Sequence, residues 1–423
     1  MMKKLIFLFF VGAIFIFSGC QARLTKGVTP KRDAEKISPQ KVILGIENFL
    51  TNYKSLVKGK RVALLTNPSG VDSRLKSTAD ILFEDKTINL TALFGPEHGI
   101  RGAIYAGEHV KNEIDPHTGL PVFSLYGAHK KPTKKMLENV DVILVDIQDI
   151  GLRGYTYIYT MALVMEAAAE SGKQVIVLDR PNPIDGIRIE GNLVEKGFES
   201  FVGLYPIPYR HGMTIGELAR YFNQEFDIHC DLQVVPMVGW TRDMLWDQTG
   251  LLWVPTSPHV PHWKTILYMG ATGTIGELRT ISEGVGYTSP FELVGAPWID
   301  GYDFARELNV LNLPGVIFRP LYFKPYYASY KGEVCQGVQL HITNPHTFNS
   351  YQTGLYILQT LLKLYPQHDP FKFENRVSMF QKVIGCNWII EDLKAGHSVS
   401  EIALKWQDEL EQFKMKREKY LMY

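Results

Sequence analysis

The chain has 423 residues, of which 45% are hydrophobic, 12% are aromatic and 21% are charged. This composition excludes a disordered chain, a collagen-like fibre and a small disulfide-stapled domain, and it predicts a globular protein of two or more domains. Lys and Arg number 45 against 44 acidic residues. Because this balance provides no field that would attract a polyanion, nucleic acid is not an expected partner.

The N-terminus has the pattern of a bacterial lipoprotein signal. Lys3 and Lys4 precede an apolar segment over residues 5–17, and the small residues Ser and Gly directly precede Cys20. The apolar segment is too short for an ordinary membrane-spanning helix but has the length of a signal-peptide core. An uncleaved anchor followed by an incidental cysteine is the alternative interpretation.

The signal predicts the organisation of the mature N-terminus. Residues 1–19 form the signal peptide, and Cys20 is the lipidated residue that anchors the protein to a membrane. Residues 20–40 are rich in polar groups and contain two prolines, which is typical of a flexible tether. We therefore expect an exported, membrane-anchored lipoprotein that faces the periplasm, with exposure at the cell surface as the alternative.

Apolar and amphipathic segments alternate along the first half of the chain. The predicted strands cover 61–66, 90–94, 121–125, 140–147 and 174–179, and the predicted helices cover 78–84 and 155–171. Continuously apolar strands that are separated by helices indicate a parallel sheet covered on both faces. We predict a Rossmann-like, doubly wound α/β domain over 41–254. Within it, Thr214 and Glu217 have the spacing of a capping box that opens another helix.

The pattern changes after residue 254, where prolines and glycines separate short β-rich segments. The predicted strands cover 316–323 and 337–343, and the predicted helices cover 350–364 and 399–420. These features predict a smaller α+β domain over 255–423.

Three cysteines lie in the folded part of the chain, at Cys230, Cys335 and Cys386. They are far apart in sequence and none has the CxxC spacing of a zinc or redox site. We predict that they are buried apolar side chains.

Three loops follow predicted strands of the first domain and combine Gly or Pro with charged and amide groups. They cover 95–102, 148–157 and 179–183. Ligands of an open parallel sheet bind beyond the carboxyl ends of its strands, where such loops converge. We predict that the functional site lies there.

Glu97 is the strongest catalytic candidate in these loops. A carboxyl group on a stiff Gly-Pro loop can be held in place and partly desolvated, as a general acid or base requires. The alternative is a structural carboxylate that caps a helix or pairs with Arg101.

The sequence predicts no metal and no cofactor. His98, His109 and His117 lie near Glu108 and Asp115, and these residue types suit zinc or iron. Their spacing, however, matches no compact ligand signature. The loop after the first strand has neither a GxGxxG motif nor a Walker lysine, and no GxSxG elbow is present.

Six ordered motifs carry a resemblance to a known family. They read GPEHGIRG, DIQDIGLRGYTY, LDRPNPIDG, HGMTIGELA, SEGVGYTSPFELVGAPW and KREKYLMY. From about residue 42 to the end, the sequence resembles the NamZ-type exo-β-N-acetylmuramidases. The resemblance implies a glycosidase of cell-wall turnover and recycling that removes N-acetylmuramic acid from the non-reducing ends of peptidoglycan glycans. It also implies that the active-site cleft lies between the Rossmann-like domain and the smaller second domain.

The resemblance also implies site residues. It makes the glutamate of GPEHG, Glu97, the catalytic residue, and we expect its partner carboxylate among Asp149, Glu283 and Glu277. The substrate-binding candidates on or near family motifs are His98, Arg153, Tyr155, Arg180, Asn182, His211, Glu277 and Arg279. The chain departs from the family pattern at Thr256, His259 and Val285.

Muramic acid carries a lactyl carboxylate, which a planar guanidinium binds well. We therefore expect Arg153, Arg180 or Arg279 to recognise it. The sequence leaves retaining, inverting and substrate-assisted hydrolysis open. It also leaves open a non-catalytic lipoprotein that binds a muropeptide or sugar through aromatic residues such as Tyr155, Tyr157 and Trp253.

Overall fold

The computed structural model describes residues 41–102 and 113–423, which belong to one compact unit. The predicted signal peptide, the tether and Cys20 lie outside the described residues, as do Glu108 and His109. Among the described helices, none combines the length and the apolar character that a bilayer span requires.

The first half of the structure is built on a seven-stranded sheet. Its strands are β1 (Arg61–Thr66), β2 (Asn89–Gly95), β3 (Glu113–Ile114), β4 (Pro121–Ser124), β5 (Val142–Asp146), β6 (Gln174–Leu178) and β7 (Asp231–Val235). Its helices are α1 (Gly45–Asn48), α2 (Thr78–Glu84), α3 (Tyr157–Glu170) and α4 (Ile215–Glu225). Single turns of other helix types occur at Phe49–Tyr53, Lys54–Val57, Lys134–Leu137 and Trp246–Gln248.

The strand order is that of a Rossmann fold with one added edge strand. The sheet runs β3-β4-β2-β1-β5-β6-β7, and every neighbouring pair is parallel except β3 and β4. Strands β2 and β4 lie on one side of β1, and strands β5, β6 and β7 lie on the other side. The prediction of a doubly wound α/β domain is confirmed, and its topological switch point lies between β1 and β5.

The second half combines helices with a separate three-stranded antiparallel sheet of order β8-β10-β9. Its strands are β8 (Leu293–Ala296), β9 (Val316–Phe323) and β10 (Cys335–Ile342). Its helices are α5 (Trp263–Gly276), α6 (Gly301–Val310), α7 (Ser350–Leu364), α8 (Glu374–Ile384), α9 (Trp388–Ala395), α10 (Val399–Leu404) and α11 (Gln407–Arg417), followed by a turn at Glu418–Tyr420. This is the smaller α+β domain that the sequence predicts, and its boundary at residue 255 stays a prediction.

The helical stretch predicted near 399–420 is present but interrupted. The structure divides this segment into α10, α11 and a final 3₁₀ turn, and Trp406 lies between the two helices with a non-helical φ of −107° and ψ of 3°. Trp406 is almost completely buried and packs on Tyr351 and Trp388 at ring-centroid distances of 5.7 and 6.1 Å. Burial of this indole against two helices therefore interrupts the helical backbone.

Two local predictions are confirmed. Thr214 Oγ1 accepts a hydrogen bond from the Glu217 backbone at 3.2 Å, and Glu217 Oε2 accepts one from the Thr214 backbone at 2.9 Å, which is the reciprocal pattern of a capping box. The three cysteines of the folded region, Cys230, Cys335 and Cys386, are buried and not disulfide-bonded.

Candidate active site

A cleft of about 640 Å³ opens beyond the carboxyl ends of β2, β4 and β5. Its walls come from both halves of the protein. The larger domain contributes Glu97, His98, Tyr126, Lys130, Tyr155, Thr156 and Phe201, and the smaller domain contributes His259, Glu277, Phe291, Met379 and Lys382 among others. The position at the strand ends is the one that the topology of an open parallel sheet predicts.

Glu97 projects into the cleft from a tight turn that follows β2. The Gly99 backbone donates to the Pro96 carbonyl at 3.0 Å, and both His98 and Gly99 have positive φ angles. Thr156 Oγ1 donates to Glu97 Oε2 at 2.9 Å. Because Thr156 is the N-cap residue of α3, the carboxyl group lies at the positive end of that helix. The loop is therefore shaped to fix one carboxyl group at the cleft wall.

Two observations describe the surroundings of this carboxyl group. Burial and the neighbouring Glu97 carboxylate raise the pKa of Tyr126 to about 12, so Tyr126 is a neutral hydrogen-bond donor at neutral pH. Arg101, the alternative ion-pair partner, instead donates to Asp115 at 2.9 Å and to Asp80 at 3.1 Å. This guanidinium is engaged by two other carboxylates.

Two tyrosines stiffen the floor of the cleft. Tyr155 donates through its hydroxyl to Thr256 Oγ1 at 2.8 Å, and Tyr157 donates to the Thr256 carbonyl at 2.6 Å. Their rings meet edge to face at a centroid distance of 4.7 Å. Thr256, one of the departures from the family pattern, thus joins the loop after β7 to the start of α3.

Glu277 faces the same cleft from the smaller domain, at the C-terminal end of α5. Arg376 holds it by two contacts, a 3.0 Å bond from Nη2 to Glu277 Oε2 and a 2.7 Å bond from Nε to the Glu277 carbonyl. Burial raises the pKa of Glu277, although Arg376 and Arg279 act in the opposite direction. The cleft therefore contains two oriented carboxyl groups that come from different domains.

A group of nitrogen-bearing side chains lies beside these carboxyl groups. Burial, followed by the nearby positive charges of His98 and Arg279, lowers the pKa of His259, so His98 and Arg279 both lie near His259. Arg279 is exposed and has a φ of 57°, a left-handed conformation at the end of the α5 segment. Unlike Arg153 and Arg180, Arg279 is exposed, and it lies near the cleft residue His259 although it does not itself line the cleft.

The structure buries three predicted site residues in the loops that follow β5 and β6, namely Asp149, Asn182 and His211. Asp149 Oδ2 accepts from the Gly151 backbone at 2.8 Å and lies 3.2 Å from His211 Nε2. Asn182 donates to the Met213 carbonyl at 3.0 Å and accepts from the Ile184 backbone at 3.1 Å. None of the three is among the residues that line the cleft. Their contacts brace the loops behind the site.

Arg153 and Arg180 also lie away from the cleft lining, contrary to the expectation that either binds the lactyl carboxylate. Arg153 is fully buried and donates to the carbonyls of Asn192, Ile207, Val383 and Ile384 at 2.6 to 3.1 Å. Arg180 is 2% exposed and forms a two-point ion pair with Asp146 at 2.5 and 2.9 Å. These interior contacts engage both guanidinium groups, although Arg153 Nε has no hydrogen-bond partner among the described residues, and neither arginine faces a ligand in this cleft.

Glu283, predicted as a partner carboxylate, is buried behind Glu277. Its side chain packs against Gly276, where an added Cβ would lie 2.5 Å from the Glu283 carboxyl carbon. Burial raises the pKa of Glu283 to about 7, while Arg279 and Arg376 lower it. Glu283 is not among the cleft-lining residues.

Several residues that sequence reasoning missed complete the cleft. Tyr126 and Lys130 follow the short strand β4, and Lys382 and Met379 come from α8, about 280 residues after Glu97. A lysine or methionine on an amphipathic helix has no sequence signal that separates a cleft position from a surface position. Within 41–102 and 113–423, no group of three or more His, Cys, Asp or Glu residues has the arrangement of a metal site.

Fold and cleft together define a two-domain α/β protein with two carboxyl groups in one cleft, and a pair of carboxyl groups is what most glycoside hydrolases use. The family models for the N-terminal and C-terminal domains of the exo-β-N-acetylmuramidase NamZ match residues 62–264 and 266–423. The chain belongs to this family.

Individual relatives agree with that assignment. The chain is 48% identical to the peptidoglycan β-N-acetylmuramidase NamZ of Bacillus subtilis over 422 residues, which covers both chains completely. Two crystal structures of DUF1343 family proteins from Bacteroides fragilis are similar in fold. One is 45% identical with a TM-score of 0.86 and covers 90% of this chain and 99% of its own. The other is 29% identical with a TM-score of 0.73 and covers 91% and 99%.

Proposed function

We propose that this protein cleaves N-acetylmuramic acid from the non-reducing ends of peptidoglycan glycans, with Glu97 as the proton-transfer catalyst. The observation that carries the proposal is the position of Glu97. It stands at the end of β2, is oriented by Thr156, and shares its cleft with Glu277. Hydrolysis of an acetal requires proton transfer at the glycosidic oxygen and a second group that supports the oxocarbenium-like centre.

Glu277 is the second carboxyl group in this proposal. Among the partner candidates, it is the one that lines the cleft together with Glu97, whereas Asp149 and Glu283 are packed behind the walls. Its two contacts with Arg376 fix both its carboxylate and its backbone. Because the carboxylate is already held in place, it does not have to reorient when charge develops in the transition state.

Arg279 is proposed to recognise the lactyl carboxylate that distinguishes muramic acid from glucosamine sugars. It is exposed and, although it is not among the cleft-lining residues, it lies near enough to the cleft residue His259 to lower the pKa of that imidazole. A hydrogen bond between charged groups contributes more than a neutral one, so its loss is expected to be measurable as a loss of selectivity.

The test uses a chromogenic β-N-acetylmuramide and the matching N-acetylglucosaminide. The wild type is expected to release chromophore from the muramide, and Arg279→Ala is expected to lower kcat/KM for it by about tenfold or more. Binding of N-acetylglucosamine, measured as competitive inhibition, should change little. Cleavage of the glucosaminide alone would contradict the substrate assignment, and absence of any cleavage would favour a binding protein. Wild-type selectivity in Arg279→Ala would refute the role of Arg279.

We propose that Cys20 carries a lipid that holds the protein at a membrane surface facing the periplasm. The support is the signal pattern that ends in Ser-Gly-Cys and the polar segment over 21–40, which is long enough to separate the folded part from the lipid. Labelling of cells with a fatty-acid analogue is expected to mark the wild type and not Cys20→Ala. Equal labelling of both proteins would contradict the proposal.

A further inference from the structure

Three tyrosines form an aromatic surface on the smaller domain, which we call the tyrosine platform (Tyr287, Tyr326 and Tyr327). Tyr326 is 68% exposed and Tyr327 is 49% exposed. The rings of Tyr287 and Tyr326 are stacked, with a centroid distance of 5.9 Å and an interplanar angle of 17°. Neighbouring aromatic rings that face solvent are uncommon unless a surface binds something.

The tyrosine platform is continuous with the cleft. His259 lines the cleft, and its Nε2 shares a 2.8 Å hydrogen bond with the Tyr327 hydroxyl. The two rings are also stacked, at a centroid distance of 6.2 Å and an interplanar angle of 28°. A ligand that leaves the cleft past His259 therefore meets Tyr327 and then the remainder of the platform.

The backbone holds the platform firmly in place. The Tyr326 backbone donates to the Gly286 carbonyl at 2.7 Å, and the Gly332 backbone donates to the Pro325 carbonyl at 2.9 Å. Gly286 has a φ of 94°, and a Cβ at this position would lie 2.0 Å from the Tyr327 carbonyl oxygen. Only glycine permits this approach. The rings thus remain exposed on a rigid support and do not fold back into the core.

We propose that the tyrosine platform binds the sugar units that follow the N-acetylmuramic acid unit to be released. The inference rests on the proposed function, because an exo-acting enzyme holds one terminal sugar at the reacting centre. The rest of the glycan must then leave the cleft along a surface that is continuous with it. Sugar rings present faces of C–H groups, which pack well on the flat faces of amphipathic aromatic side chains.

This role predicts that the platform matters for a glycan and not for a single sugar. The two substrates are the chromogenic β-N-acetylmuramide and a peptide-free glycan of four or more sugars with N-acetylmuramic acid at its non-reducing end. Tyr326→Ala is expected to lower kcat/KM for the glycan by about tenfold, the scale of one lost aromatic contact, and to leave the monosaccharide reaction unchanged. Tyr326→Trp retains an aromatic face and is expected to keep most of the glycan activity.

Tyr302→Ala is the matched control, because Tyr302 is 65% exposed on α6 and does not line the cleft. An equal effect of Tyr326→Ala and Tyr302→Ala on glycan cleavage would overturn the inference. An equal loss on both substrates would also overturn it, since the ring would then support the cleft itself. The wild type serves as the control for the proposed function. If the proposed function is wrong, neither the wild type nor any variant will cleave the muramide. If only the role of the platform is wrong, the wild type will still cleave it.

Discussion

Glu97→Gln is expected to lower muramide turnover by about 10²-fold or more while the protein remains folded. Glutamine keeps the shape of the side chain and an oxygen that accepts the hydrogen bond from Thr156, but it cannot exchange a proton. Ligand binding should therefore survive the loss of chemistry. Turnover and melting temperature measured on the same preparation test both parts of this expectation.

A structural Glu97 predicts a different pattern. Loss of a capping interaction would reduce stability by about 1 kcal/mol and leave most of the activity at low temperature. Glu138→Gln provides the matched control, because Glu138 is an exposed glutamate of the same domain and is not among the cleft-lining residues. A Glu97→Gln variant that is destabilised but still active would contradict the role of Glu97 as the proton-transfer catalyst.

Arg180→Met is expected to destabilise the protein by about 3–5 kcal/mol, because it leaves the buried Asp146 carboxylate without its guanidinium partner. Asp146 has no solvent exposure, and its remaining side-chain partner is the Thr78 hydroxyl. Denaturant unfolding of the wild type and the variant measures the effect. Arg306→Met is the control, because the Arg306–Asp303 pair is more than half exposed and such pairs contribute about 1 kcal/mol or less.

The double variant Asp146→Leu with Arg180→Met should recover part of the lost stability, since it removes both buried charges together. Retained stability in Arg180→Met combined with a selective loss of muramide affinity would instead return Arg180 to the substrate-binding residues.

The sequence predicts the larger domain well because its signal is local. A run such as Val-Ile-Leu-Val in β5 is short, rich in β-branched residues and apolar at every position, which indicates a strand covered on both faces. The polar loop after each strand marks the edge where ligands bind. These signals predict that Glu97 and Tyr155 belong to the site, and the structure brings both to the cleft. The resemblance added His98 and Glu277.

The same reasoning cannot tell which polar side chains of a loop point toward the ligand and which point back into the protein. Arg153 and Asn182 follow strands as Tyr155 does, but they satisfy buried carbonyls. Their contacts are with residues far along the chain, including Ile384 for Arg153, and no local pattern encodes them. Lys382 reaches the cleft for the same reason, through the packing of α8.

The two carboxyl groups of the cleft have a further consequence, because Glu97 lies in the segment matched by the N-terminal family model and Glu277 in the segment matched by the C-terminal one. Neither half contains both proposed catalytic groups, so the reaction depends on the packing of the two halves, which buried contacts such as those of Arg153 with the Val383 and Ile384 carbonyls hold together. Any inhibitor that wedges the halves apart by an ångström or two, without touching either glutamate, would therefore disable the enzyme.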